Sequence, residues 1–214
     1  MNQLDHLVIA APDLDAAKQR FQDDTGVAPV DGGRHVGLGT RNALVSFGNG
    51  RYLEIIAPDP EQNLDDGFGA ALADLDSELP LHWAVRVAAL QPVADHTTSV
   101  GLDAGLIRRT SRAQPDGTML EWELMGISGH DLGGFVPFYI DWLECPHPSD
   151  TAPVVGELRL FEVTLPEGSS AKRLLDPAPA GITLVNGEPH LRVCFESPKG
   201  VIEYASENLQ GFSM

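Results

Sequence analysis

The chain opens with an extended segment that is apolar on both faces and carries one polar residue in its middle. Leu4, His6, Val8 and Ala10 fall on one face of an extended segment, and Leu7 and Ile9 fall on the other. Pro12-Asp13 breaks this strand. Asp13 then suits a helix N-cap, Leu14, Ala17 and Phe21 lie on one helical stripe, and Gly26 is a natural stop. The segment RHVGLGTRNALVSFGNGRYLEIIAPDP predicts two or three strands, with a hairpin turn at Gly48-Asn49-Gly50. The order is βαβββ over residues 1–57.

Leu64, Phe68, Leu72, Leu75 and Leu79 have helical spacing, which predicts a short helix ending before Pro80. The first pattern then restarts over 80–144. A strand spans 81–87, a weak helical stretch 91–104, and strands 106–113 and 118–125 flank the turn Pro115-Asp116-Gly117. After a Gly-rich loop, Phe135–Leu143 predicts another strand. A poorer third copy covers 155–207, with strands over 158–164, 182–186, 191–196 and 201–205 and a short helix over 170–175. The expected fold is α+β, built from repeated βαβββ modules that form one cupped, mostly antiparallel sheet, with the third module packed outside.

Four polar side chains interrupt these apolar strands: His6, Glu54, His82 and Asp141. Burying a lone imidazole or carboxylate costs several kcal/mol, so each needs a partner. Each of the first two modules carries a His on its first strand and an acid on its last, separated by 48 and 59 residues. If the modules curl into facing half-barrels, the four converge. Two imidazoles and two carboxylates suit Zn, Ni, Mn, Co or Fe(II), with positions left for water or substrate. The ordinary alternatives are equally concrete. A strand His is commonly a hydrogen-bonded structural residue, Glu54 an outward charge, and Asp141 a turn cap or the partner of an Arg.

The chain resembles the vicinal oxygen chelate superfamily, and more narrowly its glyoxalase-like domain proteins. The resemblance rests on LDHLVIAAPDLDAAKQRF, RHVGLGTRNALVSFGNGRYLEIIAPD, HWAVRVA, and VPFYIDW followed by PHP, within the first two-thirds of the chain. It implies paired modules around a divalent metal, with His6, Glu54, His82 and Asp141 as ligands. The last ligand is usually Glu in glyoxalase I. Asp141 is shorter, and a water-bridged contact is the expectation there. The resemblance also makes the segment around His35 and Asn42 characteristic, so both are candidates to line a substrate cavity. A solvent-facing hairpin is the alternative. Arg86, on the face of His82, is a candidate for a substrate anion or a structural ion pair, and Trp122 is placed near the cup. His147 is a candidate for the cavity mouth.

The implied activity is that of a metal-dependent small-molecule enzyme: a glyoxalase I-like lyase, an epimerase, or an extradiol dioxygenase-like oxidoreductase. In the first two, Glu54 or Asp141 would be the catalytic base. The rival is a non-catalytic protein that sequesters a small molecule in the same cup. A third class is a structural or regulatory relic.

Charge narrows the partners. Lys and Arg number 14 against 31 Asp and Glu, a net charge of −17. Such a chain, with no basic run, is not expected to bind nucleic acid or an anionic membrane surface. No apolar stretch approaches the ~20 residues of a membrane span. The opening residues have no basic n-region, and Cys145 and Cys194 belong to no paired motif, so a reducing cytoplasm is the expected compartment. The expected partners are a small-molecule substrate and, at most, a second copy of the chain as a homodimer.

Overall fold

The computed structural model describes residues 2–113, 117, 119–207 and 209. Strand β1 (Gln3–Ala10) leads into helix α1 (Leu14–Thr25). Asp13 caps that helix by accepting from the Ala16 amide, and Gly26, at φ 82°, closes it in the left-handed conformation. Strands β2 (Val30–His35), β3 (Thr40–Gly48) and β4 (Arg51–Pro58) complete the first unit. Helix α2 (Gly67–Ala73) follows. The second unit comprises β5 (Leu79–Arg86), α3 (Gln91–Ser99), the short β6 (Asp103–Ala104), β7 (Arg108–Ala113), β8 (Met119–Met125), the short β9 (Ile127–Ser128) and β10 (Phe138–Asp141). Pro115 and Asp116 of the expected turn lie outside the described residues.

The last strand of this unit is shorter than the apolar run predicts. Gly133–Phe135 forms a 3-10 turn, and Pro137 has no N–H for a ladder, so β10 begins at Phe138.

Eight strands close on themselves in the order β1-β4-β3-β2-β7-β8-β10-β5. The pairs β1·β4 and β5·β10 are parallel, and the rest are antiparallel. The narrowest join is β2·β7, where Arg34 pairs with Ala113. The cup is therefore a barrel with an interior of its own.

Residues 158–206 form a separate four-stranded sheet. Its elements are β11 (Leu158–Leu165), α4 (Ser170–Leu174), β12 (Thr183–Asn186), β13 (His190–Ser197) and β14 (Gly200–Ser206), in the strand order β12-β11-β13-β14. Phe161, Val163, Val193 and Phe195 join the outward residues Leu7, Ile9, Trp83 and Val85 in one core outside the barrel. Val8, Leu44, Ile56, Trp122, Phe138 and Ile140 form a second core inside it.

One register irregularity shapes the polar interior of the barrel. On the β1·β5 ladder, Leu4 pairs with Val85 and His6 with Ala84, so Asp5 has no opposite residue. This is a β-bulge. Strict alternation puts Leu4 on the face of His6. The bulge instead sends Leu4 to the outer core with Leu7 and Ile9, and leaves Asp5 buried beside His6.

Candidate functional site

The barrel encloses about 790 Å³ of space not filled by protein, counting its open mouth. His6, Glu54, His82, His35, Asn42 and Trp122 all line it. Each arrives by strand alternation from β1, β4, β5, β2, β3 and β8 respectively. Phe68 of α2 also lines the space. The approach of α2 is close: a Cβ on Gly69 would meet the Gly39 carbonyl oxygen at 2.1 Å. Glycine at position 69 thus lets the helix sit against the β2–β3 turn.

Three sequence candidates, Asp141, Arg86 and His147, do not line the cavity. On β10, Phe138 and Ile140 point inward, as does Trp142 just beyond, and the intervening Asp141 does not line the cavity. Its Oδ1 accepts from the Leu143 amide at 2.9 Å, capping a turn in which Leu143 has φ 53°. Arg86 also lies outside the lining; its Nε is 3.9 Å from Asp5 Oδ2. Arg86 acts as a counter-charge for that buried carboxylate.

The polar centre is organised around His6. Its Nδ1 donates to Asp5 Oδ1 at 2.6 Å, and its Nε2 lies 3.5 Å from Glu54 Oε2. The ring stacks on Tyr52 with centroids 4.4 Å apart. The other Asp5 oxygen accepts from Trp142 Nε1 at 3.1 Å and His147 Nε2 at 3.0 Å. His147 Nδ1 accepts from the Ser149 amide, which fixes the proton on Nε2. Burial alone would raise the Asp5 pKa. The hydrogen bonds from His147 and His6 outweigh it, and the carboxyl is held at about 2. Asp5 is thus an anion that orients His6.

Glu54 begins a second chain of contacts. Its Oε1 accepts from Asn42 Nδ2 at 2.6 Å, and Asn42 Oδ1 accepts from Arg112 Nη1 at 2.8 Å. Arg112, on β7, is 4% exposed, and burial lowers its pKa. Gly32 makes room for the pair, because a Cβ there would meet Arg112 Nη1 at 2.2 Å and Asn42 Oδ1 at 2.4 Å. Burial also lowers the pKa of His35, whose Nδ1 lies 3.0 Å from Thr40 Oγ1. Burial drives His82 down further, to about 4, and its Nε2 donates to the Val136 carbonyl at 2.8 Å.

Asp5, Arg112, Tyr52 and Phe138 were not singled out by sequence. Asp5 enters through the bulge, and Arg112 through closure of β7 onto β2. A signal for Asp5 existed only in its position next to His6.

These donors do not fit a superfamily-type metal centre. In the first unit, Glu54 pairs with Val8, two residues after His6. In the second, the residue two after His82 is Ala84, and it pairs with Phe138. A phenyl ring thus occupies the register position of the second carboxylate. His82 Nε2 is spent on a carbonyl, and His6 and Glu54 supply two donors. Among the described residues, no group of three or more His, Cys, Asp or Glu side chains is set to hold a metal ion.

No curated protein matches the sequence. Among solved structures, a hypothetical protein from Staphylococcus aureus is similar at a TM-score of 0.67 and 14% identity, covering 95% of this chain and 99% of that one. A mutant of 4-hydroxymandelate synthase from Streptomyces coelicolor is similar at 0.51 and 13%, covering 95% of this chain and 62% of that one. A methylmalonyl-CoA epimerase from Mycobacterium tuberculosis aligns at 0.47 and 24%, covering 65% and 85%. Residues 4–177 match the family described as Glyoxalase-like domain. The chain belongs to this glyoxalase-like domain family.

Proposed function

We propose that the barrel cavity is the active site of an enzyme that moves a proton at carbon next to a carbonyl of a small organic substrate. The observation that carries this reading is the Asp5–His6–Glu54 array, with His6 Nε2 turned to the cavity. Asp5 holds the Nδ1–H tautomer, which leaves Nε2 as the basic atom. His6 takes the proton, the C–H electron pair moves into the carbonyl as an enolate, and the imidazolium that forms lies between two carboxylates. Return of the proton to the same carbon gives epimerisation, and return to the neighbouring carbon gives isomerisation. The buried N–H groups of Arg112 and Asn42 are near enough to Glu54 to balance charge on that side of the cavity.

Of the sequence expectations, proton abstraction next to a carbonyl is kept, with His6 in place of Glu54 or Asp141 as the base and without the expected metal, and the branch that needs Fe(II) is set aside. The aromatic walls would equally serve a protein that only sequesters a ligand, and catalysis separates the two. The test is deuterium incorporation in D2O, followed by proton NMR, for a panel of a 2-hydroxy ketone, a 2-oxo acid and a β-keto ester. The expected result is exchange above the buffer rate with at least one compound, falling about 100-fold or more in His6→Gln. Exchange at an equal rate in both proteins, or none above buffer, refutes it.

A further inference from the structure

Resting on that reading, we propose that the cavity selects a monocarboxylate with a flat apolar or aromatic body, and that Arg112 binds the carboxylate. Arg112 is 4% exposed and lines the cavity. Arg34, Arg109, Arg159 and Arg192 pair at the surface with Glu61, Glu121, Glu196 and Glu203. Arg112 instead points into the barrel. Among the described residues its only hydrogen bond is from Nη1 to the neutral amide of Asn42, and its buried Nε has no hydrogen-bond partner there.

A guanidinium out of water without an anion beside it costs several kcal/mol. The buried carboxylates meet that need only in part, through the charge of Glu54. Asp5 is already engaged by His6, His147 and Trp142, and Glu54 reaches Arg112 only through Asn42. A ligand carboxylate in the cavity would accept a charge-assisted hydrogen bond from the guanidinium where it lines the wall. Thr110, two residues earlier on the same face of β7, also lines the cavity and offers a hydroxyl. The rest of the wall sets the body of the ligand. Trp122 and Trp142 pack 5.4 Å apart, with Phe138 and Leu124 beside them. Asp5, held as an anion, adds negative charge here, which favours a single carboxylate over a phosphate dianion.

Trp122 and Trp142 supply the readout. Phenylacetate and its uncharged isostere phenylacetamide are titrated into the full chain, and quenching of tryptophan emission is followed. The expected result is binding of phenylacetate about 10-fold or more tighter than of phenylacetamide, the worth of a charge-assisted pair. Arg112→Gln should reduce the preference to about 2-fold or less, and Arg112→Lys should keep part of it. Equal affinities in the wild-type chain, or no phenylacetate binding in the millimolar range, overturn the inference without any variant. The wild-type comparison therefore stands if Arg112→Gln fails to fold. The outcome is independent of catalysis. Carboxylate preference without deuterium exchange would sink only the proposed function. Exchange on a neutral carbonyl compound without that preference would sink only the role of Arg112.

Discussion

His82 should make the protein lose stability on mild acidification, and the size of the loss follows from the structure. Its ring sits against the barrel wall, with Phe138 at 5.2 Å between centroids and Nε2 donating to the Val136 carbonyl. Burial is the largest influence on its pKa. The Val136 hydrogen bond works against burial, and His6 and His130 add smaller repulsive contributions that lower the value further, to about 4. The unfolded chain titrates His82 at about 6.5. Between these values the unfolded state binds more protons, so stability falls as pH falls and is fully present above about 6.5. Linkage between pH 7 and pH 5 gives a loss of about 2 kcal/mol, or about 1 kcal/mol allowing for cavity water that reaches the half-buried ring. Asp5, held at about 2, titrates below this window. His35 and His130 shift in the same direction as His82, so a variant is needed to isolate it. His82→Gln keeps a donor for Val136 but cannot titrate. Urea unfolding followed by tryptophan emission at the two pH values should show the variant losing about 1–2 kcal/mol less than the wild type. Equal losses would refute the placement of a neutral, half-buried His82.

Three further outcomes are expected. Asp5→Asn should cost about 3 kcal/mol in urea unfolding, because one amide cannot accept from His6, His147 and Trp142 together; a cost below about 1 kcal/mol would contradict the buried anion. Gly69→Ala should lower stability by about 1–3 kcal/mol, because its Cβ meets the Gly39 carbonyl oxygen and forces α2 from the barrel mouth; an unchanged unfolding midpoint would contradict that contact. Dialysis against EDTA should leave the urea midpoint and the deuterium exchange rate unchanged; a chelator-sensitive rate restored by Zn or Mn would show that these donors do hold a metal.

The parts of the fold legible in the sequence are those set by local pattern. The βαβββ order follows from the alternation in β1, the Asp13 cap, the Gly26 stop and the Gly48–Gly50 turn. His6 and Glu54 stand out because they interrupt apolar strands. Asp141 interrupts one too, but both faces of β10 are apolar, with Tyr139 in the outer core and Phe138 and Ile140 in the inner one. The alternation there does not show which face meets the cavity. Asp5 is hidden for a different reason. Strict period two puts it opposite His6, and only the bulge against β5 brings the two together. Arg112 belongs to RRTSRA, which reads as a polar edge. Pairing of β2 with β7 is a long-range event that no local pattern records, and it places that edge in the barrel wall.

The proposed chemistry rests most heavily on how Asp5 holds His6. Histidine-selective 15N NMR of the wild-type chain, with His6 assigned by loss of its signals in His6→Gln, reads this directly. The structure predicts that His6 carries a proton on Nδ1 at neutral pH, and that its Nε2 signal moves in Glu54→Gln, since that atom faces Glu54 at 3.5 Å. A neutral His6 protonated only at Nε2, with signals indifferent to Glu54→Gln, would contradict the proposed base.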